Sequence, residues 1–175
     1  RNSFGELKLE FGNVDVAAII NEVAEALKPQ ITAAGQTLSV ATACEIPSIE
    51  ADAKRIRQIV FNLLQNAHVH TPPGTSIVIG AGHADGVVTI EVSDDGDGLP
   101  FEDPDEAFGS FRRGPARDFV PVPGSGIGLT ISRQLAVLHR GNIEVESKPG
   151  EGTTFKVLLP VDRDGARKIV VPEES

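Results

Sequence analysis

A chain of 175 residues with 40% hydrophobic content is the size of one domain and can bury a core without disulfide or metal staples. The formal net charge of -9 excludes nucleic acid as a partner, because neutralising phosphates takes clustered Lys and Arg. The single cysteine, Cys44, excludes an intramolecular disulfide and reads as a small buried or half-buried side chain.

No stretch approaches the ~18 apolar residues of a membrane span, and the N-terminus has no signal-peptide pattern, so the piece is expected to be soluble. Arg1 comes first and Met is absent, which leads us to expect an excised piece of a longer protein.

Val16, Ile19, Ile20, Val23, Leu27 and Ile31 recur at three- and four-residue steps, so an amphipathic helix is expected between Val14 and Ala34, with Asp15 as N-cap and Gly35 as stop. Thr37 to Ala43 alternates and is rich in β-branched residues, the pattern of a strand. Helical spacing returns from Asp52 to His68 and ends before Pro72, Pro73 and Gly74.

Strands are expected at Ser76 to Ala81 and Val87 to Ser93, with Gly82 to Gly86 as the link of an antiparallel hairpin. Gly96 to Gly124 is a long loop rich in Gly, Pro and charge, with apolar islands at Phe101, Phe108, Phe111 and Phe119; loops of this length in a small domain usually carry function. A helix follows from Gly126 to His139. A last strand pair, Asn142 to Ser147 and Thr153 to Leu159, turns at Lys148 to Gly152. Strands and helices come in runs, which points to an α+β, two-layer α/β sandwich: a mixed, mostly antiparallel sheet with helices packed on one face. A doubly wound parallel sheet is the alternative.

Three groups of residues carry chemistry. On the Asp52 helix, Arg55, Gln58, Asn62 and Asn66 form a polar stripe opposite Ile56, Ile59, Val60, Leu63, Leu64 and Ala67. Asparagine is a poor residue inside a helix, so two on one face invite a functional reading such as an amide-oxygen ligand for Mg²⁺; a solvated polar face is the competing one. Asp94-Asp95-Gly96-Asp97-Gly98 follows directly on a strand, where a carboxylate can accept a hydrogen bond from an exocyclic amine, although an ordinary Asp/Gly turn has the same composition. Gly124-Ser125-Gly126-Ile127-Gly128-Leu129 opens a helix, where free N–H groups suit an anion. It follows a loop instead of a strand, unlike the dinucleotide fingerprint, and no Lys-Ser or Lys-Thr pair makes it a Walker loop.

Taken in order, Asp52-x-x-Arg55-Ile56-x-Gln58-Ile59-Val60-x-Asn62-Leu63-Leu64-x-Asn66-Ala67, Asp94-x-Gly96-x-Gly98, Phe108-x-x-Phe111-x-Arg113, Gly124-x-Gly126-x-Gly128-Leu129 and Gly152-Thr153-Thr154-Phe155 resemble the successive boxes of the sensor histidine kinase ATPase domain. Gly5-Glu6-Leu7-Lys8-Leu9 looks like the exit from that family's dimerisation helices. The wider superfamily, with the Bergerat fold of gyrase-type topoisomerases and ninety-kilodalton heat-shock chaperones, shares the asparagine helix and glycine turns; the Phe108 to Arg113 segment selects histidine kinase.

The resemblance implies a linker over 1–14, an ATP-binding catalytic domain over 15–160 and a C-terminal tail over 161–175. It implies ATP and Mg²⁺ as ligands, with Asn66 on the metal, Asn62 beside the phosphates, Asp94 on the adenine amine and Thr153 close to it. Gly96 and Gly98 would shape the adenine side, and Gly124, Gly126 and Gly128, followed by Leu129, would hinge a lid. Arg113 would reach the γ-phosphate.

The family often has Lys where Val69 stands and an aromatic residue at His70, which leaves one phosphate contact to Arg112 or Arg117. No histidine here is followed by an acidic residue, the family's phosphoacceptor setting; His68, His70, His83 and His139 read as structural or surface residues. The implied partners are a dimerisation and phosphoacceptor domain of the same kinase and a response regulator, with a monomeric isolated domain, a homodimeric parent anchored in the cell membrane, and this part in the cytoplasm. Two competitors are weighed against this. A conformational ATPase of the superfamily needs a catalytic Glu on the asparagine helix, which is absent between Asp52 and His70. A degenerate nucleotide-binding module would have lost Asn66, Asp94 or the glycines.

Overall fold

The computed structural model describes residues 8–43, 45–99, 108 and 127–162. Cys44 lies outside them.

The first helix, α1, runs Val16–Ala33. It starts where expected because Asp15 is extended and its carboxylate accepts the Ala18 N–H at 3.1 Å, satisfying one orphan donor of the first turn. It stops where Gly35 turns left-handed, at φ 78°. Pro29 interrupts the hydrogen bonding inside the last turns, on the exposed side where water can satisfy the freed carbonyl.

The asparagine helix, α2, runs Ala53–Val69 behind Asp52, whose carboxylate accepts from Lys54 N and Arg55 N. Ile56, Ile59, Val60, Leu63, Leu64 and Ala67 are buried, so the apolar stripe seen in the sequence is the face that meets the core. Each large aliphatic side chain there contributes about 1.5–3 kcal/mol.

Strands β1 (Gly12–Val14) and β3 (Ile49–Ala51) pair antiparallel in a two-stranded sheet that the sequence does not suggest. The main sheet contains β2 (Thr37–Val40), β4 (Ser76–Ala84), β5 (Val87–Asp94), β6 (Asn142–Lys148) and β7 (Gly152–Pro160) in the order β2-β4-β5-β7-β6. Among the described residues, β2 and β4 are the one parallel pair in this sheet.

The third helix, α3, runs Ile127–Leu138. α1 covers β2 and β4, α2 covers β4 and β5, and α3 covers β6 and β7. The expected two-layer arrangement with a mixed, mostly antiparallel sheet is the one observed. Ile77, Ile79, Val88, Ile90 and Val157 point to the helices and are fully buried, whereas Val78, Glu91 and Glu144 face the other way and are exposed.

Two elements differ from expectation. The β4–β5 strands run on through Gly82–Ala84, and the reversal is made by Asp85 and Gly86 alone, both at positive φ (55° and 79°), a tight two-residue turn whose twist matches its strands. β2 is shorter than Thr37 to Ala43, although Ala41 N and Ala43 N still donate to Ile79 O and Ala81 O.

Candidate functional site

Asn66 lies on α2, 8% exposed. Its backbone carbonyl accepts from His70 N, but among the described residues no hydrogen bond of its side-chain amide is found. Its oxygen is a hard, neutral donor, which fits a Mg²⁺ ion beside phosphates. Asn62, one turn earlier, is engaged differently: its amide donates to Ser132 Oγ of α3 at 3.0 Å, tying the two helices together.

Asp94 ends β5 and stands opposite Thr153 of β7. Its Oδ1 accepts the Gly96 N–H at 3.0 Å, which folds the chain back over the carboxylate. Burial raises its pKa above the ordinary aspartate value; hydrogen bonds from the Gly96 and Thr153 backbone pull it down, and the charge of Asp95 pushes it up. A half-buried carboxylate with spare acceptor capacity is suited to an exocyclic amine. Asp95 is bound away from it, accepting Ser76 N at 2.7 Å.

Two close approaches fix this turn. Gly152 has φ 95°, and a Cβ there would lie 2.0 Å from the Asp94 carbonyl oxygen; Gly98 has φ 85°, and its Cβ would lie 2.5 Å from the Lys148 carbonyl. Gly150 N donates to Asp97 O at 2.8 Å and Leu99 N to Ser147 Oγ at 2.8 Å, while Ser147 Oγ lies 3.0 Å from Thr153 Oγ1. The β6–β7 turn and the Asp94 turn are therefore one interlocked unit.

The end of α2 meets this unit at Gly96, where a Cβ would lie 2.8 Å from the Thr71 methyl carbon. Asn66, Asp94, Gly96, Gly98 and Thr153 thus come from the end of α2, the turn after β5 and the start of β7, elements in contact with one another. Arg112, Arg113, Arg117, Gly124 and Gly126 lie outside the described residues. Gly128 falls in the first turn of α3, and Leu129 is a buried core residue. Val69, where the resemblance leads one to expect Lys, is 40% exposed.

Phe108 is a core residue: it packs edge-on against Phe155 with ring centroids 5.9 Å apart, Arg133 lies 4.2 Å above its ring, and its carbonyl accepts from Thr130 Oγ1. Thr71 and Ser147 were missed by sequence reasoning. Thr71 had only its place after the helix as a signal, and Ser147 had none.

Comparison with known proteins shows the family. Residues 51–163 match the family described as histidine kinase-, DNA gyrase B-, and HSP90-like ATPases, and the chain belongs to that family. The adaptive-response sensory kinase SasA of Synechococcus sp. (strain JA-3-3Ab) is 35% identical over 164 residues, covering 93% of this chain and 43% of SasA; the chain therefore spans less than half of that curated relative. The catalytic domain of histidine kinase ThkA superposes with a TM-score of 0.76 at 27% identity, over 90% of this chain and 99% of that one. Full-length ShkA, solved in complex with AMPPNP, superposes with a TM-score of 0.71 at 30% identity, over 88% of this chain and 32% of that one. ThkA has also been solved in complex with the response regulator protein TrrA.

Proposed function

We propose that this chain is the ATP-binding catalytic domain of a two-component sensor histidine kinase, supplying the γ-phosphoryl group to a histidine on a separate dimerisation domain for relay to a response regulator. The observation that carries the reading is the pairing of a largely buried helical amide, Asn66, with a half-buried carboxylate, Asp94, on two elements that touch through Thr71 and Gly96. Asp94 accepts the adenine amine, with the interlocked β6–β7 turn and Thr153 forming the wall beside it. Asn66 offers its side-chain oxygen to Mg²⁺. A magnesium ion held there by Asn66 would neutralise phosphate charge.

Asn62 holds α3 against α2 through Ser132, and by the resemblance Gly124, Gly126 and Gly128 serve as the hinge of a lid over the phosphates. Arg113 completes the site by offsetting charge on the transferring group. The AMPPNP complex of ShkA and the regulator complex of ThkA support the ligand and partner assignments by likeness. The same proposal takes 1–14 as a linker, 15–160 as the ATP-binding body and 161–175 as a tail, with this part of the parent protein in the cytoplasm; among the described residues no helix is long and apolar enough to cross a membrane.

Calorimetry of Mg·ATP binding to the chain and to Asn66→Ala and Asp94→Asn tests the reading. The chain binds; Asn66→Ala loses the dependence on Mg²⁺; Asp94→Asn weakens by about tenfold or more, the difference between a charge-assisted and a neutral hydrogen bond. Equal affinity in all three removes the site assignment.

A further inference from the structure

Gln36 follows the left-handed Gly35 at the end of α1 and is 5% exposed. The two N–H groups of its amide nitrogen are shared among three oxygens around the end of α2: His68 O at 3.0 Å, Thr71 O at 2.8 Å and Thr71 Oγ1 at 2.8 Å. Its amide oxygen accepts from His68 Nδ1 at 2.7 Å, which places the proton on that ring nitrogen. One side chain from a distant turn therefore serves the carbonyls that a helix end leaves unpaired. Backbone bonds knit the same region together, since Gly74 N donates to Gly35 O and Thr37 N to Thr75 O.

Thr71 is held from both sides, because its hydroxyl accepts from Gln36 and donates to Ala67 O at 2.7 Å. With the hydroxyl so fixed, its methyl group faces Gly96: an added Cβ would lie 2.8 Å from Thr71 Cγ2 and 3.2 Å from Asp94 Oδ1. Gly96 N in turn holds the Asp94 carboxylate. The chain of contact runs from Gln36 through Thr71 and Gly96 to Asp94, with no gap.

We propose that Gln36 is a positioning residue for the nucleotide site, acting through the Thr71 methyl that sets where the Gly96 turn, and with it the Asp94 carboxylate, stands. This rests on the nucleotide reading of Asp94. Neither Gln36 nor Thr71 has to touch the ligand. Because the wall at Gly96 is a methyl group backed by hydrogen bonds instead of a free side chain, it yields little, and displacement of a fraction of an ångström is felt at the base.

The test combines Mg·ATP calorimetry with the amide NMR resonance of Gly96 in the nucleotide-free chain, measured well below the unfolding temperature. Gln36→Leu and Thr71→Ser each weaken ATP by about tenfold and shift the Gly96 amide, although Gln36 does not touch it and Thr71→Ser keeps the hydroxyl. Gly96→Ala loses more affinity, and the double variant Thr71→Ser with Gly96→Ala binds more tightly than Gly96→Ala alone, since removing Cγ2 opens the space that the new Cβ needs. A merely structural role for Gln36 would lower the melting temperature without moving the Gly96 resonance.

The inference is overturned if folded Gln36→Leu keeps parental affinity and an unshifted Gly96 amide. Should Gln36→Leu not fold, the Thr71 and Gly96 pair decides, and absence of rescue overturns it. Failure of the unsubstituted chain to bind Mg·ATP overturns the nucleotide reading itself, and this inference with it.

Discussion

On the proposed reading Asp94 carries opposite demands: it must be buried enough to read an amine and charged enough to attract one. Burial raises its folded pKa, so the native state holds the proton more tightly than the unfolded chain does. The sign follows directly. Stability from this group is greatest below the unfolded aspartate value of about 4 and declines as pH rises through the raised folded value; at neutral pH the full cost of the buried charge is present. Asp94→Asn therefore leaves the melting temperature at pH 7.5 equal to or above the parent's while weakening ATP, and scanning calorimetry beside binding measurements checks the split. A fall in both would mean that the carboxylate serves the fold instead of a ligand. At this scale the sequence was informative about residues whose type is unusual for their position, such as Asn66 inside a helix and Asp94 before glycines. Gln36 and Thr71 gave no such sign, because a glutamine in a turn is ordinary until the helix end it serves is known.

Elements meet at His139, which lies just past α3 and is 4% exposed. Its Nδ1 donates to Leu135 O at 2.8 Å and its Nε2 accepts from Asp52 N at 3.1 Å, while its ring packs 5.3 Å from that of Phe11. Asp52 caps α2 and also accepts Glu10 N at 2.9 Å, so one node joins the start of α2, the end of α3 and the strand that enters the fold. Burial lowers the His139 pKa, against smaller upward pulls from the Leu135 carbonyl and the Asp52 charge. The neutral ring is the one that accepts from Asp52 N. Stability from His139 is thus fully present above the unfolded value of about 6.5 and is lost as pH falls toward the lowered folded value. The melting temperature should fall between pH 7.5 and 5.5, and the slope should flatten in His139→Gln; an unchanged slope would contradict the role. Asp15 and Asp52 were legible as caps because capping chemistry is local. β1 and β3 were not, since three-residue strands paired across the chain carry no periodicity of their own. Phe108 looked like an apolar island in a loop because its partners Phe155 and Arg133 are far away in sequence.

For the whole molecule, the sandwich places the asparagine helix across the centre of the sheet, so that the end of α2 and the end of β5 face one another over a shared wall. The strand order β2-β4-β5-β7-β6 makes this possible by setting Asp94 beside Thr153 on adjacent central strands. The grouping of strands and helices in runs along the sequence was enough to indicate two layers. It could not indicate that β2 runs parallel to β4, because strand direction depends on how the intervening chain crosses and not on any residue within the strand. The central claim, that one cleft formed by Asn66 and the Asp94 turn holds a metal-chelated adenine nucleotide, is tested most directly by a crystal structure of the chain grown with Mg²⁺ and a non-hydrolysable ATP analogue. The account predicts the adenine amine within hydrogen-bond distance of Asp94 and the metal ligated by the Asn66 side-chain oxygen. A nucleotide seated elsewhere, with both side chains untouched, would contradict it.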